Sequence, residues 1–255
     1  MGIGRSGLAI RDGALVLGQT APNGGARSQI DLFEVLADAY LRGVHDVVVI
    51  ENSEGGGLPD DLHRFNALLA ARGMGRLHVR TAAGGTKLAR KAQAILDEQH
   101  MVGGRRAMLG LQPDRGEPPE GGALARLQAM AADGDGVIFA SVPVIDPERC
   151  TGCDACLRVC PHDALTQIKD ETGASRYTSA PSTCDACGVC GDVCSFSAIR
   201  LEAMAKKPDD IPLVSWTCTA CGVNVHAPER GGRRTGQCHI CENNNVHRKL
   251  FQVLP

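Results

Sequence analysis

The chain has 255 residues, 43% of them hydrophobic, and a formal charge of −2, which leaves room for more than one buried core. That balance argues against nucleic acid as a partner, since there is no basic excess, and there is no acidic tail either. Aromatics make up only 3%, so the cores must rest on Ala, Val, Leu and Ile, and no run of 18 apolar residues predicts a membrane span.

The opening Met-Gly-Ile-Gly-Arg-Ser lacks the apolar core of a signal peptide, and a cytoplasmic protein is expected. Gly2, Gly4 and Gly7 have the spacing of a dinucleotide fingerprint but follow no predicted strand, so the phosphate-cradling geometry is missing. A short apolar strand is predicted over 14–18. Residues 29–42 then place Ile30, Phe33, Leu36, Ala37, Tyr40 and Leu41 at helical spacing. The β-branched run over 45–50 reads as a buried parallel strand, and the glycine cluster 55–57 behind it as a surface loop. A second helix is predicted over 60–71, with Leu62, Phe65, Leu68 and Leu69 on one face. A third strand covers 77–80, and a third helix, 86–99, is entered from Gly84 and Gly85. The stretch 84–87, Gly-Gly-Thr-Lys, is not a P-loop, because it lacks the Gly-Lys pair and the earlier glycine. Residues 102–122, rich in Gly, Pro and charge, read as an exposed loop, followed by a helix over 123–132 and a strand over 136–144. Alternation of this kind predicts right-handed crossovers and a small parallel sheet, so 1–144 is expected to be an α/β domain.

All 12 cysteines lie after residue 149. Without a secretory signal they point to metal binding, since a reducing compartment would not maintain disulfides. Cys150, Cys153 and Cys156 are spaced by two residues, and Cys160-Pro161 follows three residues later. The pattern returns thirty-four positions on as Cys184, Cys187, Cys190 and Cys194, and Ala164-Leu165 likewise returns as Ala198-Ile199. Three closely spaced thiolates wrap one cubane, and the fourth cysteine of such a run ligates the cubane held by the other run. This assigns Cys150, Cys153, Cys156 and Cys194 to one [4Fe–4S] cluster, and Cys184, Cys187, Cys190 and Cys160 to the second. Four-cysteine zinc sites pair as two C-x2-C knuckles, not as triplets plus one, which argues against two zinc ions here. Ser195 stands where the first run has Pro161, so the second site is expected to have a somewhat different hydrogen-bonding shell. Over about 145–203 the sequence resembles the two-cluster bacterial ferredoxins, and an α+β module over 145–207 is expected.

Farther on, Cys218-x2-Cys221 and Cys238-x2-Cys241 are separated by 16 residues and supply two thiolate pairs for a tetrahedral ion. This resembles a zinc ribbon within 208–255. Zinc is expected, with rubredoxin-type iron as the alternative. His226, His239 and His247 are expected on the solvated surface, because four cysteines already close the site. Arg230, Arg233, Arg234, Arg248 and Lys249 form a modest basic group, yet stacking aromatics are scarce, so no nucleic acid is expected.

The front domain resembles the delta (iron–sulfur) subunit of methyl-viologen-reducing hydrogenase over about 29–100, in the order of its helices, strands and glycine-containing loops. It does so without that family's cysteines, for Asn52, Ser53 and the glycines 55–57 occupy the region after the second strand. The resemblance implies a docking piece for a redox partner, such as a flavoprotein or a heterodisulfide-reductase-like complex. Nothing in the chain supplies substrate chemistry, and no catalytic residue is assigned. The expectation is a non-catalytic electron-transfer subunit. The alternative is a catalytic oxidoreductase subunit whose front domain binds a flavin or a nucleotide.

Overall fold

The computed structural model describes residues 8–11, 14–18, 29–51, 58–83, 86–87, 90, 122–130, 136–229 and 236–244. The chain divides into two compact units, Met1–Ala140 and Ser141–Pro255. No helix among the described residues is long and apolar enough to cross a membrane.

In the first unit, strand β1 (Leu8–Arg11) pairs antiparallel with β2 (Ala14–Gly18), Arg11 opposite Ala14. β2 then pairs parallel with β3 (Asp46–Glu51), and β3 with β4 (His78–Ala83), giving the order β1-β2-β3-β4. Parallel neighbours need a long crossover. Helix α1 (Gln29–Leu41) lies in the chain between β2 and β3, and α2 (Leu58–Ala70) between β3 and β4. Val47, Val48 and Val49 are buried in succession, as in a strand covered on both faces. β1 falls outside the sequence expectation and makes the sheet mixed rather than wholly parallel. The third helix (86–99), the glycines 55–57 and the fingerprint glycines Gly2, Gly4 and Gly7 lie largely or wholly outside the described residues. So does nearly all of the loop 102–122.

The core of this unit is aliphatic, with two aromatic rings at its centre. Phe33 of α1 and Phe65 of α2, both fully buried, meet edge to face with centroids 5.4 Å apart. Phe65→Ala should therefore cost about 3–5 kcal/mol in denaturant unfolding of this unit. A loss near zero would mean that the two helices do not close over each other in solution. Helix α3 (Ala123–Ala129) starts against α1: the Ala123 and Leu124 N–H groups donate to the two carboxylate oxygens of Glu34, satisfying donors that every helix start leaves open.

Strand β5 (Ile138–Ile145) runs across the division between the units. In the second unit it is followed by α4 (Ala155–Arg158), β6 (Leu165–Lys169), β7 (Ser175–Ser179), α5 (Val189–Asp192) and β8 (Ile199–Lys206). The thirty-four-residue repeat of the sequence is a repeat of backbone. α4 and α5 occupy equivalent positions, and left-handed residues recur in pairs: Gly152 with Ala186, Asp154 with Gly188, and Asp163 with Ser197. The strands of the two copies exchange partners, β5 pairing with β8 and β6 with β7. Two equivalent hydrogen bonds fasten the exchange, Asp146 N–H to Ala198 O at 2.7 Å and Ala180 N–H to Ala164 O at 2.9 Å.

The final segment continues this sheet. β9 (Ile211–Thr217) pairs with β7, and β10 (Asn224–Pro228) pairs with β9, giving β10-β9-β7-β6. A short helix, α6 (His239–Asn244), ends the described chain.

Candidate metal centres

Three groups of cysteines come together in the second unit. Cys150, Cys153, Cys156 and Cys194 line one hollow of about 380 Å³. Cys160, Cys184, Cys187 and Cys190 line another of about 350 Å³. The grouping follows from the strand exchange, because each fourth cysteine sits just before a strand that pairs with the opposite copy. The inner walls are apolar and match at one pair of positions, with Ala198 and Ile199 in the first hollow and Ala164 and Leu165 in the second, while Asp154 and Tyr177 join the first lining and His162 and Asp185 the second. In both, the fourth sulfur accepts an N–H bond of 3.2 Å, from Ala164 to Cys160 and from Ala198 to Cys194. Hydrogen bonds of this kind stabilise a charged sulfur and tune whatever it ligates.

Electrostatics make each quartet demanding. Burial, followed by the neighbouring sulfurs of Cys150, Cys153 and Cys194, pushes the Cys156 thiol up to about 12. Burial and then Cys184 raise Cys190 in the same way. Four facing sulfurs of like charge need a cationic group between them before all can be thiolates. A [4Fe–4S] cubane fits this donor set: four soft ligands, dry walls and amide N–H groups aimed at sulfur.

The ribbon sulfurs are arranged differently. Cys218, Cys221, Cys238 and Cys241 bring all four sulfurs within 4.8 Å of one another, and among the described residues they form a group with single-ion spacing. A tetrahedron with metal–sulfur bonds of about 2.3 Å has edges of roughly 3.8 Å, so the set fits one zinc or iron ion. The Cys238 N–H donates to Cys218 Sγ at 3.2 Å. N–H bonds from Cys221 first, outweighing burial, and then from Cys238 hold the Cys218 thiol down at about 6. Burial and the other three thiols push Cys241 up to about 12. Cys218, Cys238 and Cys241 are themselves a buried cluster here, and among the described residues Ala220 and Val225 pack against it. His247 and the basic residues Arg230, Arg233, Arg234, Arg248 and Lys249 lie outside the described residues.

Two histidines depart from expectation. His226 and His239 do not stand on solvated surface. His226 Nε2 lies 2.9 Å from Asp154 Oδ1 and 3.1 Å from the Tyr177 hydroxyl, which itself donates to Asp154. Burial, then this bond to Asp154, moves the Tyr177 phenol above its ordinary range. His239 meets Phe196 edge to face at 5.7 Å. Tyr177, Asp154 and Phe196 all line the Cys150 hollow. The one sequence signal was that Asp154 sits inside the first cysteine run, where a carboxylate beside thiolates needs a hydrogen-bond donor. At the other hollow, His162 Nε2 lies 3.1 Å from Asp185 Oδ2, and both side chains are exposed.

Against known families, one segment is recognised. Residues 143–166 match the 4Fe-4S binding domain family. This is a ferredoxin-type iron–sulfur segment, and the cysteines it spans are Cys150, Cys153, Cys156 and Cys160. The match covers β5 from Pro143, α4 and the start of β6, the first copy of the repeat. Comparison with curated proteins finds no match for the chain.

Proposed function

We propose that this chain is an electron-transfer protein or subunit that holds two [4Fe–4S] clusters and one zinc. The observation that carries the reading is the pair of four-cysteine hollows, equivalent in sulfur count, in one pair of wall residues and in the N–H bond to the fourth sulfur. Cys150, Cys153, Cys156 and Cys194 would hold one cluster and Cys160, Cys184, Cys187 and Cys190 the other, while Cys218, Cys221, Cys238 and Cys241 hold zinc. Clusters of this type take up and release single electrons. The residues around them hold the sulfurs, aim amide N–H groups at them and keep water from the inner walls. Among the described residues no group is assigned to bind and transform a substrate, and the electrons would pass between proteins.

The partners proposed are redox proteins, one of them a flavoprotein or a heterodisulfide-reductase-like complex, in a reducing, cytoplasmic setting that suits 12 cysteines in metal-ligand spacing. The first unit, which has no cysteine, would serve as the docking piece. Anaerobically reconstituted protein should contain about eight iron and eight sulfide per chain and give spin-coupled [4Fe–4S] EPR signals on reduction. Iron near zero with several zinc ions per chain would refute the reading.

A further inference from the structure

The internal repeat supplies its own control, since any feature present at one cluster site and missing at its equivalent calls for a separate cause. The two sites differ at several positions, His162 of the second answering Phe196 of the first and Asp185 answering Thr151, and three further differences bear on the ribbon. Asp154 corresponds to Gly188, Tyr177 to Pro143, and Gly152 to Ala186. All three residues of the first site touch the ribbon hairpin. Asp154 and Tyr177 form a closed hydrogen-bonded triangle with His226 of β10, whose side chain is only 21% exposed. At Gly152 an added Cβ would lie 2.0 Å from the His226 carbonyl oxygen. The backbone itself does not require glycine there, because Ala186 occupies the same left-handed conformation, φ 59° against 74°. Glycine at 152 is therefore explained by the approach of β10. On the far wall, His239, next to two ribbon cysteines, packs on Phe196. The hairpin reaches this site because β9 extends the sheet from β7. Among the described residues nothing equivalent reaches the second hollow: its Gly188 has no neighbour within 4 Å of an added Cβ, and its flanking pair, His162 and Asp185, is exposed.

We propose that the four-cysteine ribbon is a cover for one cluster site only, with His226 as the positioning residue that seats it on the Cys150–Cys153–Cys156–Cys194 centre and lowers that cluster's potential relative to its twin. The inference rests on the two-cluster reading above. The physical cause is desolvation. Each wall holds a carboxylate, but Asp154 is 17% exposed and Asp185 46%. Reduction, which adds a negative charge to an already anionic cluster, is resisted more where the wall is covered than where water screens it. Asp154 is tolerable beside thiolates because Tyr177 and His226 both supply hydrogen bonds to it. The open Cys160–Cys184–Cys187–Cys190 centre is then the easier to reduce, and the two centres form a graded pair rather than two equal ones.

The test uses full-length, anaerobically reconstituted protein with both midpoint potentials read by EPR-monitored titration. His226→Ala should shift the lower midpoint upward and leave the other unchanged. His226→Gln, which keeps a side-chain N–H near the same place, should stay close to the wild type. Gly152→Ala, which pushes on the His226 backbone while leaving its side chain unchanged, should shift the same midpoint, while the mirror change Ala186→Gly should shift neither. Equal shifts of both midpoints, or none in His226→Ala and Gly152→Ala at full iron content, would overturn the cover. Iron content is the separate readout for the parent reading: if the wild-type protein holds no cubanes, that reading fails, and the cover with it.

Discussion

Cys194→Ser is expected to damage the cluster of the first run while sparing that of the second, although Cys194 belongs by sequence to the second. Its sulfur lines the hollow of Cys150, Cys153 and Cys156. The cause is the strand exchange, fastened by Asp146 N–H to Ala198 O and Ala180 N–H to Ala164 O. Up to one cubane, about four of eight irons, should be lost. Cys153→Ser should give the same spectroscopic loss as Cys194→Ser, and Cys187→Ser the same loss as Cys160→Ser. The two classes should be distinguishable by which of two EPR components survives. The damage should also reach stability. The core cluster beside these cysteines is small, Ile145, Leu165, Tyr177, Ile199 and Leu213, with Cys150, Cys156, Cys190 and Cys194 packed against it. So small a core leans on its metal groups, and thermal unfolding should begin earlier in each variant than in the wild type. If Cys194→Ser and Cys187→Ser share one phenotype, each run holds its own cluster and the crossed assignment fails.

The cysteine centres were legible because ligand chemistry leaves little freedom. A spacing of two residues between soft ligands suits few arrangements, and the repetition of the spacing implied the pairing of the halves. Leu62, Phe65, Leu68 and Leu69 were equally legible as one helical face, and all four are buried. β1 was missed although a signal for it existed: Asp12-Gly13 separates two short apolar runs and is the strongest short-range hairpin pattern. The place of His226 could not be read, because it depends on β9 joining β7, a pairing between residues some 35 positions apart for which no side-chain period speaks. A histidine between two metal knuckles looks like solvent-facing spare capacity until the sheet edge that receives its strand is known. The demand on Gly152 is likewise invisible in the sequence, where it is one residue inside a cysteine run. Only its equivalent, Ala186, in the same backbone conformation, separates the demand of the turn from the demand of the neighbour.

Loss of the ribbon metal should be the largest local change available to the protein. Among the described residues the buried cluster of the ribbon is Cys218, Cys238 and Cys241 themselves, so a bound ion would contribute what hydrophobic burial supplies elsewhere. Structural zinc in small modules of this kind contributes on the order of 10–16 kcal/mol of apparent binding free energy at neutral pH. In the full-length protein, Cys241→Ser should release the zinc, with about one zinc per chain in the wild type and near none in the variant. Hydrogen exchange should then report a graded loss. Amides across the knuckles and β10 should lose protection, including Cys218 N–H, which donates to Val223 O at 2.9 Å. The β7–β9 pairs, Ser175 with Leu213 and Tyr177 with Ile211, should keep more of theirs, because β7 is also held by β6. Iron content should stay near that of the wild type, since no ribbon sulfur lines either hollow. Unchanged exchange at 218–228 in a zinc-free variant would show that the hairpin stands without its ion. A red, redox-active mononuclear iron in the native protein would replace zinc with a third electron carrier.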